Sequence, residues 1–429
     1  MYISVSDRNG GKKDAHPAVS DPAAPRRAFR LSPVILWLGI VSMFTDVSSE
    51  SVSAVLPLYI TGFLGLSAIA FGILDGINQG ASAIVRIAAG WAADRSGHPK
   101  RIALAGYGLS MVARVGFLFA GGFWALTAIV TGDRIGKGIR TAPRDALITV
   151  SAQPEYLARH FGVHRMLDNI GAAGGPLLAF FILMLIPNGY STLFVVSLAF
   201  AVIGVAALAL LVPNLKTGTP AGPAPGRRPG QVFVFRWSLP KEPGLGRLLL
   251  AAGLLGLLTV GDGFIYLVLQ DRDSFAVQWF PLLYVGTNVI FLILAIPLGR
   301  LADRWGKAKV FVAGHVALLL CYLLAAAPLG GFGATLACLV LLGAFYAATD
   351  GVLAALASQL TPPEKLATGI GAAQTVVALS RMAASAGFGV LWFTLGPSTA
   401  MVVVGGCLAV AVPAALLILR AGMRQRHEA

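Results

Sequence analysis

Charged side chains are scarce in this sequence: they make up 12% of its 429 residues, about half the roughly 25% usual in a soluble domain. With 56% hydrophobic residues and a mean hydropathy of +0.77, that scarcity excludes an ordinary water-soluble fold. Cysteine is scarce as well. Cys321, Cys338 and Cys407 all fall inside apolar stretches and the six histidines are scattered, which leaves neither a disulfide framework nor a His/Cys metal cluster. His-Glu-x-x-His, Gly-x-Ser-x-Gly and the phosphate-binding Gly-x4-Gly-Lys-Ser/Thr are all missing. An enzyme is therefore not expected, nor a cofactor, nor direct use of ATP.

What the chain has instead is apolar runs long enough to cross about 30 Å of hydrocarbon. Twelve are expected, at about 34–63, 68–92, 101–120, 123–145, 164–187, 190–213, 247–269, 279–300, 309–328, 332–358, 366–394 and 399–420. The fold class is thus an all-α polytopic membrane protein. The first 30 residues are polar and lead directly into the first run without a short apolar core and cleavage site, so that run is expected to be a retained span.

The net charge of +14 does not signal nucleic acid, because +10 of it lies in residues 1–30, 214–247 and 420–429. The connections "LGLS", "AGG", "IPNGYST" and "LGPST" have no Lys or Arg, and "QDRDSF" has Arg272 alone. By the positive-inside rule both ends and the central linker are expected in the cytoplasm. That linker, "NLKTGTPAGPAPGRRPG", is rich in Pro, Gly and charge and divides the spans six and six. The expected units are a basic tail (1–30), a six-helix bundle (31–213), a linker (214–246), a second bundle (247–420) and a short tail (421–429).

The two halves repeat each other. "GWAADRSGHPK" recurs as "GRLADRWGKAK", aligning Gly90 with Gly299, Asp94 with Asp303, Arg95 with Arg304 and Gly97 with Gly306, each 209 apart. The same offset aligns "PEYLARHFG" with "PEKLATGIG". A duplicated six-span unit is the pattern of alternating-access transporters, in which two bundles rock about a site held between them. The repeated turns are expected to be conformational switches: their glycines permit close approach and a tight turn, and Asp94 and Asp303 are short acceptors able to cap a neighbouring helix N-terminus.

Over residues 31 to 422 the chain resembles the major facilitator superfamily. The two repeated turns resemble that family's loop signature, and "DRIGKG", with Arg134 and Gly138, resembles its fourth-helix Arg-x3-Gly motif. "GAAGGP", with Gly171, Gly175 and Pro176, resembles the fifth-helix motif associated with antiporters, although "LLAF" follows where small residues are usual. "FTDVSSES" together with "DRIGKGIRTAPRDALI" resembles a bacterial and archaeal permease subgroup. The resemblance implies two pseudo-symmetric six-helix bundles in a bacterial cytoplasmic (inner) membrane.

Charges inside the spans carry the functional reading, because Asp at a helix centre costs roughly 2.5–3.5 kcal/mol on insertion. In the first span Asp46, Glu50, Ser53 and Pro57 are spaced 4, 3 and 4 and share a face. In the fourth, Asp133, Lys137, Arg140 and Arg144 share another, with Arg134 about 100° away. Asp46 and Glu50 are expected to pair chiefly with Arg114, Arg134 and Lys137, and Asp133 with Lys137 one turn on. Arg144 is expected at the membrane interface, and Asp168, one turn into the fifth helix, in a capping or interfacial role. Asp46, Glu50 and Asp133 are the candidate proton carriers. Arg114, Arg134, Lys137, Asp262, Tyr284, Asn288, Asp350, Gln374 and Arg381 are the candidate cavity residues, and Asp75 and Arg86 are further charges of the second span.

The expected function is proton-coupled efflux of a small organic molecule, anionic or zwitterionic, by a monomer whose partners are cargo, protons and lipid. Uptake by proton symport, a lipid flippase and a transport-dead sensor are the alternatives.

Overall fold

The computed structural model describes residues 31–153, 156–215, 243–361 and 366–428, without the side chains of 87, 90–96, 158, 243, 366, 367 and 421–428. The basic tail 1–30 and most of the 214–246 linker lie outside the described residues. What is described is helical: α1 (Pro33–Leu58), extended by a π-helical turn (Tyr59–Phe63), α2 (Ala68–Ser96), α3 (Pro99–Phe117), α4 (Phe123–Ser151), α5 (Leu157–Leu185) and α6 (Tyr190–Leu211). After the linker follow α7 (Pro243–Gly256), α8 (Asp262–Asp273), α9 (Phe280–Trp305), α10 (Lys307–Ala326), α11 (Phe332–Gln359), α12 (Leu366–Leu395) and α13 (Pro397–Glu428).

Among the described residues, nine stretches are long and apolar enough to span a membrane. The other three crossings are α3 and α4, which carry the buried charges, and α7 with α8. Here the expected continuous seventh helix, 247–269, is wrong. "GLLGLLTVGDG" concentrates glycines, which hold a helix poorly, and the helix breaks over residues 257–261. A break inside a bilayer must satisfy its own backbone. The buried Tyr322 hydroxyl does so, accepting from the Val260 N–H at 2.7 Å and donating to the Leu258 carbonyl at 3.0 Å.

Duplication shows in the packing. α1 packs on α5 and α6, α2 on α4, and α3 on α4 and α6, while their mates six crossings later do the same: α7 on α12 and α13, α9 on α11, and α10 on α11 and α13. The repeated glycines adopt the positive φ the turns require, +63° at Gly97 and +99° at Gly306.

Twelve crossings return the chain to the face it left, the terminal face. The bundles meet in the halves nearer the opposite, far face. Gly72, Gly76 and Gly80 of α2 lie against the Ser385, Met382 and Ala378 carbonyls of α12, where a Cβ on Gly72 or Gly76 would sit 2.6 Å from the oxygen. Phe71, Phe264, Phe388 and Trp392 stack across the junction with ring centres 4.6–5.5 Å from Phe264. Phe180 of α5 meets Trp279 at 5.4 Å. Asn288, Asp350 and Gln374, farther toward the terminal face, are exposed. Polar side chains inside a span are expected to face water and not lipid.

Candidate functional site

In the first bundle α1 and α4 form a ladder. Arg134 donates to Ser53 at 3.2 Å, Lys137 to Glu50 at 3.4 Å, Arg140 to Asp46 at 3.2 Å and Arg144 to Ser42 at 3.1 Å. As α1 numbers fall α4 numbers rise, so two antiparallel helices with the same stride keep polar faces in register. Two expected pairings are corrected here. Asp133 does not pair with Lys137; its two oxygens take Arg114 at 2.9 Å and Arg134 at 3.2 Å. Asp46 pairs with Arg140 and not with Arg114 or Arg134, which reach α1 only through Ser49 and Ser53.

Arg144 is no interfacial side chain either. It is buried and bonds Ser42 and Asp145, with Asp168 at 3.7 Å. Asp168 itself sits three turns into α5, which begins at Leu157 and not near 164, so it cannot cap that helix. It faces Asp46 and pairs with Arg165 at 3.6 Å. Gly171 and Gly175 bring α5 onto the α1 backbone at Met43 and Ser51, with Glu50 against Gly175. Pro176 lies inside the same helix.

One rung differs from the others. Lys137 and Glu50 are 33% and 30% exposed, against 3% and 11% for Arg140 and Asp46. The arginine rungs are closed inside protein, while the Lys137–Glu50 rung is partly exposed.

The second bundle replaces direct pairing with a relay. Asp262 opens α8, where the helix dipole favours an acid, and accepts from the Tyr346 hydroxyl at 2.6 Å. Arg381 donates to the same hydroxyl at 2.7 Å. One turn after Tyr346, exposed Asp350 joins Thr259, His315, Thr349 and Arg381 around a cavity of about 30 Å³, room for one or two waters. Tyr284 places its hydroxyl against Gly263 and packs edge-on to Tyr266 at 4.6 Å. Asn288 and Gln374 are exposed.

Of the switch turns, Gly299 lies on α9 and Arg304 is exposed in its last turn. Asp303, 72% exposed, touches Lys307 of the next helix at 3.6 Å and caps no described helix; Gly90 lies on α2, and the side chains of Asp94 and Arg95 fall among those left undescribed. Arg272, the odd base of the far loops, donates to the Leu324 carbonyl at the end of α10 and to Asp273, which accepts from the Gly331 N–H before α11 and from Thr335. Arg272, the leading influence, holds the Asp273 carboxyl below the usual carboxylate range.

Sequence reasoning named Asp75 as a charge of the second span but gave it no role. It is buried where the bundles meet, accepting from Ser385 of α12 at 2.6 Å, and no periodicity within one helix points across to a partner 310 residues away.

A family model described as Major Facilitator Superfamily matches residues 36–385 and 272–428. An uncharacterized MFS-type transporter of Methanocaldococcus jannaschii is 28% identical over 373 residues, covering 84% of this chain and 89% of that protein. An uncharacterized protein of Mycobacterium tuberculosis is 28% identical over 318 residues, 70% of this chain and 73% of its own length. Among solved structures, the nucleoside transporter NupG superposes with a TM-score of 0.77 at 15% identity, over 90% of this chain and 99% of its own. A bacterial homolog of the human lysosomal transporter Spinster, inward-facing and unoccupied, superposes at 0.73 and 16%, over 91% and 97%. At such identities these likenesses speak for the fold alone.

Proposed function

Since the chain belongs to the Major Facilitator Superfamily, a family of membrane transporters, we propose that it exchanges protons for a small zwitterionic organic molecule by alternating access. In this reading it works as a monomer in a bacterial cytoplasmic membrane with the terminal face inward, and it moves its cargo out.

The observation that carries the reading is the accessible Lys137–Glu50 rung. A zwitterion meets it with complementary charges, its carboxylate on Lys137 and its ammonium on Glu50. A proton on Glu50 removes the charge the ammonium needs, so cargo and proton compete for one carboxylate, which is the condition for antiport. A purely anionic cargo would need only Lys137 and would be helped by a protonated Glu50, which is symport. Asp46 and Asp133, held by buried arginines, serve in this reading to fix α4 beside α1. Asp350 and Arg381 supply the opposing wall.

The test is transport into liposomes carrying an internal pH dye, with zwitterionic, anionic and cationic metabolites presented under an imposed proton gradient. Zwitterion-dependent proton movement opposite to the cargo is expected. Glu50→Gln, which mimics the protonated carboxyl, should abolish that proton movement and cargo-for-cargo exchange together. Protons moving with the cargo would replace exchange by symport, and an unaltered Glu50→Gln would make Glu50 a structural counter-ion.

A further inference from the structure

Asp75 is 9% exposed two turns into α2. Its Oδ2 accepts from Ser385 at 2.6 Å, and Gly261, at the break before α8, lies so close that any Cβ there would collide with the carboxylate. The acid therefore touches α2, α8 and α12 at once, and two of these belong to the other bundle. Toward the far face it is roofed by Phe71, Phe264 and Phe388, each about one turn beyond Asp75, Gly261 and Ser385 respectively, with Trp392 above them.

The charges around it do not neutralise it. Gln79 lies one turn below on α2, and the nearest acid is Asp262 of α8. Arg381 of α12 is turned to Tyr346, and Tyr284 of α9 is a neutral phenol against α8. On the helices packed behind α2, Arg134 is taken by Asp133 and Ser53, Lys137 by Glu50, and Arg114 by Asp133. Among the described residues Asp75 has no ion pair. A buried carboxylate whose donors are the Ser385 hydroxyl and the Gln79 amide, with a second acid close by and Arg381 acting on it only from a distance, is disfavoured when charged.

Resting on the reading that the bundles rock, we infer that Asp75 is a proton-binding site that locks the far end of the transporter shut. The closed junction accepts Asp75 in its neutral form; a proton lost from it leaves a charge that only water can solvate, and the aromatic roof must part to admit that water. Acid at the far face thus favours closure and alkali favours opening, whatever the cargo. The glycines of α2 make closure possible by backbone contact, and Asp75 makes it conditional.

The experiment uses the full chain in liposomes with spin labels on Ser67→Cys and Thr394→Cys, exposed residues at the far ends of α2 and α12, in a Cys407→Ser background. The distance between them is read by pulsed electron resonance from pH 5 to 9. The parent should pass from one short distance in acid to a growing long-distance population in alkali. Asp75→Asn, which cannot ionise, should keep the short distance throughout. Glu50→Gln should respond to pH like the parent even though its proton transport is lost, which separates this inference from the exchange mechanism. A parent whose distance ignores pH, or an Asp75→Asn protein that still opens in alkali, overturns it.

Discussion

Two acids of the same bundle should answer to neutralisation to very different degrees. Asp133 joins two guanidiniums, and Arg114, Arg134 and Asp133 are 3%, 8% and 4% exposed. Asp133→Asn leaves those two charges with Ser49 and Ser53 as their remaining hydrogen-bonding partners, and breaking a buried pair costs about 3–5 kcal/mol. For a bundle of this size each kcal/mol moves Tm by about 2–4 °C, so a fall of about 6–20 °C is expected. Glu50 is 30% exposed beside Lys137, and a pair open to water contributes at most about 1 kcal/mol, which predicts a change of about 4 °C or less for Glu50→Gln. Tryptophan fluorescence during heating in detergent measures both. Equal shifts would refute the division into closed and open rungs, and with it the choice of Glu50 as the carboxylate that meets cargo and proton.

Tyr322→Phe strands the Val260 N–H and Leu258 carbonyl, at about 1–3 kcal/mol each, and hydrogen exchange should rise at residues 257–261 while α10 stays protected. Gly76→Leu drives a side chain into the Met382 carbonyl, so thiol reagents should gain access to Ser385→Cys, fully buried at the far junction, as that junction is forced open. Because Asp273 is held below the usual carboxylate range, its stabilisation is present above about pH 4 and is lost as pH falls further. The Tm difference between the parent and Asp273→Asn should therefore shrink on acidification from pH 6 to pH 3.

Much of this molecule was legible before any coordinates. Helix periodicity is a local property, so the shared face of Asp46, Glu50 and Ser53 and the stripe of Lys137, Arg140 and Arg144 could be placed from spacing. The 209-residue offset foretold matched bundles, and the helix contacts repeat six crossings apart. Apolar length foretold the crossings; it misjudged the seventh, where backbone bonds to Tyr322 hold a break that hydropathy averages away.

Partner choice was another matter. Asp46, Glu50, Asp133 and Asp168 could meet Arg114, Arg134, Lys137, Arg140 and Arg144 in many pairings, and the relative height and rotation of α1, α3, α4 and α5 select one. Hence Asp46 meets Arg140, and Asp133 meets Arg114 and Arg134. The sequence by itself determined which side chains a lipid environment would force inward, since the cost of a charge in hydrocarbon depends on the residue alone. The tertiary structure decided which of those charges would be cancelled by a neighbour, and it left Asp75 between two bundles with a hydroxyl in place of a cation.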